Sequence, residues 1–178
     1  LCMAMDEAAA IEKMNQWAGK PLPISATCFI DGQLFVRLAG AEPAVRAAQV
    51  KLGGETLADD KIFWRSVREH THGFFQPDKP LWRLSIKSTT PPLSLTGKQL
   101  LEWNGGLRWL STDGGEDAEA IRAAAKEAGG HATLFRHNKS SISVFHPLPS
   151  GMMKIHRALK EKFDPSGIFN PGRLYSEI

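Results

Sequence analysis

The feature that most restricts the fold of this chain is a segment that occurs twice. Val45, Arg46, Ala47, Ala48, Gly53 and Gly54 recur 76 positions later as Ile121, Arg122, Ala123, Ala124, Gly129 and Gly130. In each copy the apolar positions fall on one helical face, and the glycine pair supplies the positive φ at which helices commonly stop. Each copy is flanked by extended segments, so the repeated unit reads strand, helix, Gly-Gly, strand. Two such units fed by antiparallel hairpins predict an α+β domain: an antiparallel sheet with helices on one face, built as two ferredoxin-like halves. The competing reading is coincidence, because alanine-rich helices resemble one another.

The rest of the chain fits around these units. From Glu7 the apolar positions Ala10, Ile11, Met14, Trp17 and Ala18 fall on one helical face until Gly19 and Pro21 end the helix, and Cys2 is read as part of a terminal helix. Ser25–Ile30 and Leu34–Leu38 form a hairpin about Asp31-Gly32, a pair that tolerates positive φ. After the first Gly-Gly, Glu55–Leu57 predicts a short strand. Asp59 or Asp60 then caps a helix through Glu69 that buries Phe63, Trp64 and Val67. Trp82, Leu84 and Ile86 alternate with Arg83, Ser85 and Lys87, which predicts a strand with one buried and one wet face. Thr89-Thr90-Pro91-Pro92 interrupts it, and Gly105–Leu110 returns with Leu107 and Trp109 on one side. Asp113-Gly114-Gly115 turns into a helix whose first turn carries Glu116, Asp117 and Glu119, followed by the strand Ala132–Arg136. A polar stretch through Pro149 reads as a loop, and a last helix aligns Met152, Ile155, Leu159 and Phe163. The domain reading is residues 1–150 for the α+β domain and 151–178 for a helix and turn tail.

Composition excludes several functional classes. A chain of 178 residues that is 42% hydrophobic and 23% charged can bury a core without disulfide or metal staples. No window is apolar enough to span a membrane, and the first residues do not read as a signal peptide. The formal charge of +3 is spread along the chain without a basic stripe, which argues against nucleic-acid binding. Cys2 and Cys28 have neither disulfide-framework nor zinc spacing and fit a reducing cytoplasm. The chain begins with Leu rather than Met, and the expectation is that it is a piece of a longer protein.

Few residues carry chemistry on their own. There is no Gly-x-Ser-x-Gly elbow and no phosphate-binding Gly-x-x-x-x-Gly-Lys loop. His70 and His72 have the spacing of a metal pair, but a polar helix end explains them better, and no metal is assigned. His131, between a helix stop and a strand, is the candidate catalytic base, with a structural histidine as the alternative. Arg108 and Arg136 are candidates for binding a carboxylate bidentately, and exposed cross-strand charge is the alternative for both. Near the end, Asp164-Pro165 stops the helix, and Asn170-Pro171-Gly172-Arg173 has the residue order of a type II turn that would aim Asn170 and Arg173 outward.

Phe163-Asp164-Pro165 and Asn170-Pro171-Gly172, closing a chain after a helix, resemble the C-terminal signature of the FAD-linked oxidase family related to vanillyl-alcohol oxidase. With Pro21–Ser25, Gly105–Leu110 and Gly129–Thr133 in the same order, the chain is similar to the second half of the FAD-binding E subunits of bacterial glycolate oxidases. The resemblance implies a cap domain that covers a flavin ring, with the FAD-binding domain upstream of Leu1. It implies oxidation of a 2-hydroxy acid such as glycolate to glyoxylate, with His131 beside the flavin, Arg108 or Arg136 on the substrate carboxylate, and Asn170 and Arg173 toward FAD. It supplies as partners a second flavoprotein subunit and an iron-sulfur subunit, in a cytoplasmic complex peripheral to the inner membrane. His70 and His72 lack the glycine- and aspartate-rich neighbours of the family's His-x-His metal pair. On this reading the chain alone is inactive, and a surface made to face another domain favours self-association into a homo-oligomer. The alternative is a non-enzymatic α+β interaction module with Trp82, Trp103 and Trp109 at a subunit interface.

Overall fold

The computed structural model describes residues 1–114, 117–137 and 142–178. They form two compact units, Leu1–Ile142 and Ser143–Ile178. The predicted positions Gly115 and Glu116, and residues 138–141 of the polar stretch, lie outside the described residues.

The larger unit runs β1 (Cys2–Ala4), α1 (Glu7–Ala18), β2 (Ile24–Ile30), β3 (Gln33–Leu38), α2 (Glu42–Leu52), α3 (Asp60–Arg68), β4 (Leu81–Ser85), β5 (Lys98–Glu102), β6 (Leu107–Ser111), α4 (Ala118–Glu127) and β7 (His131–Arg136). Local signals set the ends of these elements. Asp6 caps α1 by accepting from the Ala9 amide at 2.8 Å, and Asp117 caps α4 through the amides of Glu119 and Ala120. Asp31 and Gly32 both take positive φ, as a two-residue hairpin turn between β2 and β3 requires.

All seven strands form one antiparallel sheet in the order β1-β3-β2-β5-β6-β4-β7. The duplication is real at the level of topology. In the first half Glu55 bridges Cys2, so the order is Glu55, β1, β3, β2; in the second half it is β7, β4, β6, β5. Both are the same ferredoxin-like arrangement, except that a loop over residues 86–97 replaces the first helix of the second half. The halves meet along β2 and β5 through Cys28↔Glu102 and Phe29↔Leu101.

This topology explains the repeated glycines. Each pair ends a helix and starts the fourth strand against the backbone of the first. A Cβ at Gly54 would lie 2.8 Å from the Cys2 carbonyl oxygen, and one at Gly130 would lie 1.9 Å from that of Ser85. Gly53 and Gly129 have φ of +69° and +73°.

Adjacent residues of each strand serve opposite faces. On one face Phe29, Leu34, Val36 and Leu101 pack on Ile11, Met14 and Trp17 of α1, and Trp82, Leu84, Leu110, Ala132 and Leu134 pack on Ile121 and Ala125 of α4. On the other, Cys28, Ile30, Leu81, Leu100, Leu107 and Trp109 lie under Phe63, Trp64 and Val67 of α3 with Phe74 and Phe75. The α+β class and the antiparallel sheet are as expected, but α3 modifies the placement of helices on one face. It belongs to the linker between the halves, and its apolar side covers the sheet where they join.

Three further readings change. Cys2 lies in β1, since the run before Asp6 is too short to show a helical period. Residues 98–102 form β5, which the alternation rule misses because Leu100 and Leu101 are adjacent and each is buried in a different face. Glu55–Leu57 contracts to the single bridge at Glu55.

In the smaller unit α5 (Ser150–Phe163) is followed by a tight turn. The Asp164 carboxylate accepts from the amides of Ile168 and Phe169 and pairs with Lys160 Nζ at 2.7 Å. Gly172 has φ +67°, and the Arg173 amide donates to the Asn170 carbonyl, which gives the predicted turn. Met152, Ile155, Leu159 and Phe163 line α5 and are exposed.

The glycine geometry predicts that Gly130→Ala destabilises the larger unit by roughly 3–5 kcal/mol, a loss of the size expected when backbone must move. Gly19→Ala, with open space at its Cβ, serves as the control. Urea denaturation followed by circular dichroism checks both.

Candidate functional site

The two arginines singled out from the sequence are already engaged. Arg108, on the helix-covered face of β6, is fully buried. Its Nε donates to the Gly105 carbonyl at 3.2 Å and its terminal nitrogens donate to the carbonyls of Pro91 and Thr90, with Glu7 Oε1 at 3.7 Å. Desolvation outweighs that ion pair and lowers its pKa, while burial raises that of Glu7. Arg108 thus satisfies loop carbonyls that lie where the first half has a helix, and it presents nothing to a ligand. Arg136 Nη1 donates to the Gln76 carbonyl at 2.9 Å and more weakly to that of Phe75. It ties the end of β7 to the loop after α3.

Arg136 thereby supports an aromatic cluster. His70, at φ +55°, stacks on Phe75 with centroids 4.1 Å apart and meets the edges of Trp109 and Phe135 at 4.7 and 5.5 Å. Burial first, and then the charge of Arg136, lower its pKa, so at neutral pH this ring is an uncharged stacking partner. His72 accepts from the Phe74 amide through Nδ1. These contacts give His70 and His72 places within the packing of the loop.

A group of polar side chains lies on the same sheet face as α3, over β4 and β7. There β4 and β7 are neighbours, with Arg83 opposite Thr133 and Ser85 opposite His131. Arg83, Ser85 and Thr133 are half-buried and His131 is exposed. None of the four side chains has a hydrogen-bond partner among the described residues. The Arg83 guanidinium lies 5.8 Å from the ring centroid of Trp103. Trp103 is 66% exposed, and its turn is held in positive φ at both Trp103 and Asn104. Thr27 Oγ1 accepts from the Asn104 amide at 3.0 Å, and Asn15 donates to the Asn104 carbonyl, which fixes the strained turn.

Glu102 borders this block. It accepts from Trp109 Nε1 at 2.9 Å and also lines an open cleft of about 950 Å³ with Arg37, Trp64, Arg65 and Arg68. Burial raises its pKa, opposed by the Trp109 hydrogen bond and by the charge of Arg83. A cation, two hydroxyls, an imidazole and a carboxyl group that resists ionisation thus share one sheet face. That set can bind a small anion and exchange a proton with it.

Of the residues picked out from sequence, His131 belongs to this block, and Arg108 and Arg136 do not. Asn170 and Arg173 sit in the smaller unit around a hollow with Phe145, Lys160, Phe169 and Leu174. Of the tryptophans, Trp82 and Trp109 are core and only Trp103 is exposed. Arg83, Ser85, Thr133 and Glu102 were not singled out. The alternation in β4 marks Arg83 and Ser85 as its wet face, which was the available signal. Glu102 had none, because its strand was not recognised.

Two measurements test this account. Arg108→Met leaves three loop carbonyls without a donor and Glu7 without its cation, and is expected to cost roughly 3–5 kcal/mol in urea denaturation. Glu102 has a raised folded-state pKa, so its stabilising contribution is greatest below the ordinary glutamate value of 4.5 and is lost as pH rises through the raised one. Glu102→Gln keeps an acceptor for Trp109 but cannot ionise. Its stability relative to wild type is therefore expected to increase as pH is raised from about 4 toward 7, read from paired denaturation curves.

Among known proteins, the chain is 42% identical over 169 residues to glycolate oxidase subunit GlcE of Escherichia coli (strain K12), covering 95% of this chain and 46% of that subunit. No family model and no solved structure matches it. The chain therefore spans about half the length of that relative, and what it is similar to is the C-terminal half of a glycolate oxidase subunit.

Proposed function

We propose that the chain is the cap part of an FAD-dependent oxidoreductase subunit that oxidises glycolate to glyoxylate within a multisubunit glycolate oxidase. The observation that carries this reading is the 42% identity to glycolate oxidase subunit GlcE along 95% of the chain. The open face of the sheet supports it. Aromatic rings and unpartnered polar groups on a flat, half-buried surface suit a wall laid against a planar cofactor and a small acid. Among the described residues no glycine-rich loop meets a helix start as a pyrophosphate site requires, and the proposal assigns them to the ring end of FAD.

Bound FAD supplies the two-electron acceptor for alcohol oxidation. His131 is the residue proposed to take the hydroxyl proton of the substrate. Asn170 and Arg173, on the smaller unit, are the residues proposed to contact the cofactor. A second flavoprotein subunit and an iron-sulfur subunit are the proposed partners, in the cytoplasm or peripheral to the inner membrane, and the exposed apolar side of α5 is a surface for burial in such an assembly.

The test is a chimera in which this chain replaces the corresponding half of the Escherichia coli subunit. It is expected to purify with flavin absorbance, and its complex is expected to oxidise glycolate, with turnover falling about 100-fold or more in His131→Ala while assembly persists. A folded chimera without flavin, or one whose turnover ignores His131, would reject the reading. Loss of assembly on changing Trp103, with no flavin bound, would favour an interaction module.

A further inference from the structure

β1 stops short of the strand it pairs with. Cys2, Met3 and Ala4 lie opposite Phe35, Leu34 and Gln33, and Leu1 exchanges both backbone bonds with Val36, at 2.9 and 3.0 Å. β3 runs on to Leu38. Alternation turns the N–H and C=O of Leu38 toward the same edge as those of Val36. On its other side Leu38 lies opposite Ile24 in a pair without direct bonds, since there the Ala39 amide donates to the Pro23 carbonyl at 2.9 Å. Among the described residues nothing partners the two backbone groups of Leu38, although Leu38 is half-buried. Backbone groups at such an edge call for a partner.

The open cleft of about 950 Å³ lies along this edge, and Leu1, Val36, Arg37 and Leu38 all line it. Its two walls differ in chemistry. α2, whose Leu52 packs on the same side of the sheet as Val36 and Leu38, contributes Val45 and Gln49. α3, on the opposite side, contributes Lys61, Trp64, Arg65 and Arg68. A slot that is largely apolar toward one helix and cationic toward the other suits a strand, whose successive side chains point to opposite faces. The relative has the chain to fill it, because the match covers 46% of glycolate oxidase subunit GlcE and corresponds to its C-terminal half.

We propose that this cleft is the seat of the segment that leads into β1 in a full-length subunit, which continues the strand along β3 as far as Leu38. In antiparallel register the residue before Leu1 lies opposite Arg37, and the one before that lies opposite Leu38 and takes up its two free groups. Two residues add about 7 Å of strand. The first points to the α3 wall, where Arg37, Lys61, Arg65 and Arg68 outnumber Asp60 and Glu102, and is an acceptor side chain. The second joins Leu38 and Val45 and is apolar. The two halves of the subunit are then joined through the edge of β3 and not by a free linker. The proposal rests on the match to the C-terminal half of a subunit; it does not need glycolate as the substrate.

The chimera described above contains such a segment, and amide hydrogen exchange resolved by residue tests the seat. The Leu38 amide is expected to exchange at least about tenfold more slowly in the chimera than in the chain alone. Ala39, bonded to Pro23 in both, reports that the sheet is formed. Proline two residues before Leu1 removes the donor to the Leu38 carbonyl and is expected to restore fast exchange at Leu38. Proline directly before Leu1, where the N–H points away from β3, is expected to leave it slow. Fast exchange at Leu38 while Ala39 stays protected, or slow exchange that neither proline changes, overturns the proposal. Slow exchange that is lost on dilution assigns the edge to a second copy and overturns it as well. If the chimera does not fold, a peptide of the Escherichia coli subunit that ends where the match begins is added to the chain alone. It is expected to slow exchange at Leu38, and no slowing at saturating peptide rejects the seat. A chimera without flavin or turnover in which Leu38 is protected rejects the glycolate oxidase reading and leaves the seat standing. An active chimera with Leu38 unprotected does the reverse.

Discussion

Among the described residues only two pairs, Cys28↔Glu102 and Phe29↔Leu101, join the backbone ladders of the two halves, so the single sheet depends on the apolar layer that crosses this seam. Cys28 and Ile30 from the first half share that layer with Leu81, Leu100, Leu107 and Trp109 from the second, beneath Phe63, Trp64 and Val67 of α3. Burying side chains of this size contributes on the order of 1.5–3 kcal/mol each, far more than two ladder pairs supply. The position of the candidate site follows from the same arrangement. α3 covers the seam, while the Phe74–Phe75 loop covers Leu81, Trp109 and the far end of β7; between them Arg83, Ser85 and Thr133 stay half-buried and His131 exposed.

The halves also exchange polar contacts. Asn15 of α1 donates to the carbonyls of Ser88 and Asn104, and Thr27 of β2 holds the Asn104 amide and side chain. These bonds stabilise a turn with two successive non-glycine residues at positive φ, a conformation costing on the order of 1–3 kcal/mol per residue. On the helix-covered face, Arg108 and Glu7 play a similar part for the loop over residues 86–97. Its carbonyls lack the internal partners a helix would give them, and the buried guanidinium supplies the missing donors.

Much of this was legible in the sequence where a pattern repeats along the chain. The two Gly-Gly stops, the hairpin at Asp31-Gly32, the face of α1 and the alternation in β4 each carry a local period or a turn residue, and each stands in the structure. What escaped was set by pairing across distance. Leu100 and Leu101 look like neither period, because β5 is buried on both faces between β2 and β6. Cys2 to Ala4 is a strand only because β3 and Glu55 lie on either side of it. Arg108 and Arg83 sit in similar extended segments, and only the strand order puts one beneath a loop and the other on an open face. Sequence could supply the arginines but not decide between them.

The duplication also allows the two halves to be laid over one another, and the Ser85 and His131 pair then has a counterpart. Gly130 approaches Ser85 as Gly54 approaches Cys2, so the Ser85 and His131 pair of the second half corresponds to the Cys2 and Glu55 bridge of the first. The same backbone frame therefore holds a hydroxyl and an imidazole in one copy and a thiol and a carboxyl in the other. Divergence between the twins has kept the close backbone approach at this corner and changed the chemical groups it carries.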